Sequence, residues 1–91
     1  MNKVIINGEE FLNIEEFHKY IKVKMELPDY YGENLNALWD CITGFIDLPL
    51  LLVWVNFEKS KVYIGKYAEE VLQVFKEAQN ELEDDFIVEV K

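Results

Sequence analysis

The chain has one histidine, His18, and one cysteine, Cys41, far apart in sequence. An enzyme needs a nucleophile or acid–base group, an orienting partner and a cleft. His18 follows Phe17 within an amphipathic segment and reads as a surface or boundary residue rather than a general base. Cys41 follows Asp40, and a neighbouring carboxylate does not lower a thiol pKa, so a small, partly buried core side chain is expected there. No His-x3-His, Cys-x2-Cys or EF-hand spacing occurs, so no metal is expected. Gly8, Gly32, Gly44 and Gly65 stand isolated and make no phosphate cradle. The pattern predicts no catalysis and no cofactor. A thiol enzyme using Cys41 and His18 is the weakest alternative.

What remains is binding chemistry. The stretch YYGENLNALWD, residues 30–40, sets Tyr30, Tyr31, Trp39 and Asp40 close together. Aromatic side chains bury much area at low entropic cost, and a carboxylate among them accepts charge-assisted hydrogen bonds from a cation. Core packing accounts for much of the Trp39 ring and for one tyrosine, but not for Asp40. A second acidic group, Glu77, Glu81, Glu83, Asp84 and Asp85, crowds the end of a helical pattern, where the macrodipole disfavours anions. A basic partner explains both patches.

The elements that must position these groups follow from periodicity. Lys3–Ile6 reads as a strand ended by the turn pair Asn7-Gly8, whose residues tolerate positive φ. Asn13 and Glu16 have the spacing of a capping box, which starts a helix over 14–26 that Leu27-Pro28 closes. A second helix over 34–43 puts Leu35, Leu38 and Ile42 on one stripe, Trp39 at its flank and Asn36, Asp40 and Thr43 on the polar side. Gly44 suits the left-handed position past its end. Leu50–Val55 is apolar without alternation, as a parallel strand covered on both faces would be. Residues 57–64 are ambiguous, 67–81 keep helical spacing, and Phe86–Val90 closes the chain as a strand. Strands separated by helices imply a parallel three-stranded sheet with helices packed against it.

The 91 residues suit one domain, 1–91, with 51% hydrophobic content and no apolar run near the about 20 residues of a membrane span. The segment MNKVIINGEE lacks a secretory h-region, which predicts a cytoplasmic protein. A lone cysteine leaves stability to packing. Eighteen acids against nine bases give a net charge of −9, which repels nucleic acid and attracts cationic proteins.

The segment LPDYYGENLNALWDCITGFIDLPL, Leu27 to Leu50, closely resembles the signature of the barstar family, intracellular inhibitors of a small secreted guanyl-specific ribonuclease. VIINGE near the start, FEKSK at 57–61 and VLQVFKEA at 71–78 extend the resemblance in order along nearly the whole chain. It implies an α/β fold, a three-stranded parallel sheet with helices on one side in two layers. It also implies inhibition by plugging the nuclease active site, with no turnover. Carried over by position, Tyr30, Gly32, Asn34, Asn36, Trp39, Asp40, Thr43, Gly44, Phe45 and Glu77 face the nuclease, with Glu81 flanking them and Asp40 taking a phosphate position. The implied partner is a basic, barnase-like extracellular ribonuclease, bound as a heterodimer by a chain that is monomeric when free. Two positions depart from the family: Asn36 stands where it has an acid, and Phe45 where it has a tryptophan. Both put the partner's identity in question, and an immunity protein of this fold against a different basic toxin is the alternative. The family also carries a cis peptide before the proline matching Pro49, so Leu48-Pro49 is a candidate for one.

Overall fold

The computed structural model describes residues 2–91. The chain runs β1 (Asn2–Asn7), α1 (Ile14–Lys24), α2 (Leu35–Gly44), β2 (Leu50–Val55), α3 (Phe57–Ile64), α4 (Tyr67–Leu82), a 3-10 turn (Glu83–Asp85) and β3 (Phe86–Val90). The three strands form one parallel sheet in the order β1-β2-β3, as their separation by helices implied. The ambiguous stretch 57–64 is a helix, and α4 extends one residue beyond the expected end.

Register shows how the two layers meet. Val4, Leu52 and Val88 align across the sheet, as do Asn2, Leu50 and Phe86, and Ile6 pairs with Trp54. Apart from Asn2, these residues all belong to or pack on the core cluster, whereas Ile5, Leu51, Val53, Val55 and Ile87 on the other face do not. The helices therefore cover one face of the sheet. This corrects the expectation that the unbroken apolar run of β2 needs cover on both sides. Val53 on that face is nonetheless only 4% exposed, with Ile5 and Glu89 as its register neighbours on the flanking strands.

Seven of the twenty residues of the core cluster are aromatic. The Trp54 ring lies edge-on to Phe57 and Phe75 and parallel to Phe17, while its indole N–H donates to the buried Ser60 Oγ at 2.9 Å. Leaving that indole N–H unpaired would cost about 1–3 kcal/mol, a penalty the Ser60 hydroxyl removes.

Two glycine expectations change. Gly8 is needed for close approach rather than for positive φ, since a Cβ there would overlap Asn56 O and Ser60 Oγ. Gly44 ends α2 inside the helix, with no positive φ. Leu48-Pro49 is cis. Among the described residues, no helix is long and apolar enough to cross a membrane, and no cluster of three or more His, Cys, Asp or Glu could hold a metal ion.

Candidate functional site

Asn34 begins α2 from extended backbone, its Oδ1 accepting from Ala37 N–H at 2.8 Å. Its Nδ2 donates back to Gly32 O at 3.2 Å, so one side chain ties the helix start to the loop before it. Gly32 is confined as well: a Cβ would sit 3.3 Å from both Ala37 Cβ and Asn34 Nδ2. Loop and helix thus form one unit, in which Tyr31 N–H also bonds Pro28 O.

Along α2, Leu38 and Ile42 are fully buried and Leu35 partly so. Trp39 is half-buried, packed on the core by part of its ring. Asn36, Asp40 and Gly44 are exposed, and Thr43, half-buried, donates its hydroxyl to Trp39 O at 2.8 Å. That bond uses up the hydroxyl hydrogen within the helix. Among the described residues, no cation lies within ion-pair distance of Asp40; the ion pairs are Lys19–Glu15 and Lys61–Glu58. The carboxylate points to water with no internal partner.

The remaining predicted residues are accessible too. Tyr30 is 79% exposed and Phe45 47% exposed, the latter lining a cavity of about 500 Å³ with Lys3, Lys24, Glu26 and Asp47. Glu77 and Glu81 stand exposed, one helical turn apart on α4, which packs against α2; Glu77 accepts from Gln73 at 3.2 Å. The last turn of α4 holds no basic residue, so the helix does nothing to offset the acids gathered at its end.

Tyr31 is the tyrosine that core packing takes, only 5% exposed and pointing inward, and one residue is not where the sequence put it. His18, expected at the surface or boundary, is 2% exposed, with Nδ1 2.7 Å from Tyr31 Oη and Nε2 2.7 Å from Tyr67 Oη. Burial pushes the imidazole pKa down, against a smaller upward pull from Glu33. The signal was present, since His18 lies four residues after Ile14 and three before Ile21, on the apolar side of α1. Cys41 is buried, and burial together with Asp40 raises its thiol pKa, which keeps it protonated. His18 and Cys41 share no hydrogen bond, so no nucleophile–base pair forms between them.

Fold and surface together define a two-layer α/β protein with exposed acids on α2 and at the end of α4. The family model described as "Barstar (barnase inhibitor)" matches residues 1–90, and the chain belongs to the barstar family. A Bacillus subtilis (strain 168) protein named "Putative ribonuclease inhibitor YrdF" is 57% identical over 86 residues, covering 94% of each chain.

Proposed function

We propose that this chain inhibits a small secreted, guanyl-specific, barnase-like ribonuclease by covering its basic active site with α2 and the loop before it. Asp40 stands in for an RNA phosphate, and Tyr30, Gly32, Asn34, Trp39, Thr43, Gly44, Glu77 and Glu81 surround it in the complex. The observation that carries this reading is the Asp40 carboxylate, exposed beside a half-buried indole and free of any cation among the described residues. The family match and the name of the Bacillus subtilis relative support it. The inhibitor acts in the cytoplasm as a monomer that captures one nuclease, protecting the cell that makes both. Net charge of −9 speeds that encounter with a cationic enzyme, and added salt slows it.

Titration against a microbial guanyl-specific ribonuclease, read as RNA cleavage, tests the proposal. Cleavage should fall to zero at one equivalent of inhibitor, with weaker inhibition as salt rises. Undiminished cleavage across a panel of such enzymes would overturn it. That result would favour a second reading, an immunity protein against a different basic toxin, for which Asn36 and Phe45 on the same surface speak.

A further inference from the structure

The 28–34 loop carries the most exposed aromatic of the site, Tyr30, yet little holds it down. Its bond to Pro28 O is internal, the Asn34 Nδ2 bond that ties Gly32 O to the start of α2 is exposed, and Lys22 Nζ reaches Asp29 O only at 3.4 Å on the exposed side. Among the described residues, the one buried hydrogen bond from 28–33 to another element joins Tyr31 Oη to His18. Glu33, two residues on, has φ 53, a left-handed conformation that a non-glycine residue keeps only where its surroundings hold it. The anchor is itself anchored. His18 reaches the first residue of α4, Tyr67, through its other nitrogen, and its ring lies 5.1 Å from Phe17, 5.8 Å from Tyr31 and 5.7 Å from Tyr67, centroid to centroid.

We propose that His18 is the positioning residue of the inhibitory loop: clamped between Tyr31 and Tyr67, it fixes residues 28–34 in the shape that presents Tyr30 and Gly32 beside α2. It never touches the partner. The effect of this clamp on inhibition rests on the function proposed above; its effect on the loop does not.

The clamp works only with a neutral ring. A neutral imidazole has one donor and one acceptor nitrogen, so one tyrosine donates to it and the other accepts from it. An imidazolium donates from both, which leaves the hydroxyl hydrogen of whichever tyrosine had donated to find another acceptor. The titratable groups around the clamp are Tyr31 and Glu33 from the loop, Tyr67 and Glu70 from α4, and the Cys41 thiol from α2. Of these, only Glu33 draws a proton towards His18, and burial outweighs it. Because the folded-state pKa lies below the unfolded value of about 6.5, the unfolded chain binds the extra proton first. The clamp's contribution is thus complete above that value and is lost as pH falls through the lower, folded-state one.

Amide hydrogen exchange of the free protein tests the clamp without any nuclease. In Tyr31→Phe and His18→Leu, exchange over residues 28–34 should rise about tenfold, the weight of one lost buried hydrogen bond, while β2 and α4 keep their protection. His18→Gln, which keeps a donor and an acceptor but does not titrate, should restore most of it. As pH falls below about 6.5, the loop of the wild type should progressively lose protection relative to His18→Gln at the same pH. Dissociation of the nuclease complex should quicken in the same order of variants. Tyr31→Phe removes a single oxygen and decides the matter if His18→Leu does not fold. Unchanged loop exchange in Tyr31→Phe, or a rise matched throughout β2 and α4, would overturn the proposal. A loosened loop in a protein whose wild type inhibits no guanyl-specific nuclease would support the clamp and overturn the assigned function instead.

Discussion

Helices α1 and α2 begin alike and are then built to different ends. Each starts from an asparagine whose Oδ1 accepts the N–H three residues on, Asn13 from Glu16 and Asn34 from Ala37, both at 2.8 Å. Beyond the cap, α1 places Glu15 and Glu16 in its first turn and Lys22 and Lys24 in its last, as its dipole prefers, and pairs Lys19 with Glu15 at 2.9 Å. In α2 the first turn has no acid and the last no base. Its one carboxylate, Asp40, sits mid-helix with no partner among the described residues. The charges of α1 serve the helix that bears them. The charge of α2 does nothing for the fold, which is what a group reserved for a partner looks like.

The contrast breaks most visibly at Asp40. Asp40→Ala should weaken nuclease binding by about 2 kcal/mol or more, at least roughly 30-fold, while calorimetric stability shifts by less than about 0.5 kcal/mol. Charged anchors at protein interfaces, the barnase–barstar pair among them, set that scale. An Asp40→Ala protein that binds unchanged would place α2 in the same class as α1.

The two caps sharpen the comparison at a smaller scale. Asn13→Ala and Asn34→Ala should each lower unfolding free energy by about 1 kcal/mol in urea titrations. Only Asn34→Ala should also speed dissociation, since Asn34 ties the loop to α2 through Gly32 O. Equal binding by both variants would show that the loop needs no such tie.

The smallest effect is expected at Asn36, exposed in the first turn of α2. Asn36→Asp supplies the acid that the dipole favours there and should raise unfolding free energy by about 0.3–1 kcal/mol. The same variant should tighten binding to a barnase-like nuclease if that is the partner. Tighter binding with unchanged stability would mean that the position matters for recognition alone.

Much of this molecule was legible in its sequence because the governing interactions are short-range. Asn13 and Asn34 mark helix starts through bonds that span three residues. In α1 the second half of the expected capping box is displaced: Glu16 Oε1 accepts from Leu12 N–H at 2.9 Å rather than from Asn13. The run Leu50–Val55 announced a buried parallel strand, although no helix among the described residues covers its far face. The exposure of Asp40 followed from helical periodicity and the position of its apolar neighbours.

His18 marks where that reading fails, and Tyr31 where it stops short. Adjacent tyrosines at 30 and 31 are chemically identical, and only the fold sends one outward and the other in. A histidine on an apolar stripe stays ambiguous until its partners are known, and Tyr67 lies 49 residues away. The sequence by itself determined the strands, the helices other than α3 and the acid on α2, because dihedral preferences, caps and periodicity act over a few residues. Tertiary structure alone decided which faces of the sheet are covered and which aromatics hold the loop. Those outcomes depend on competition for a limited interior among groups distant along the chain, and no local pattern encodes it.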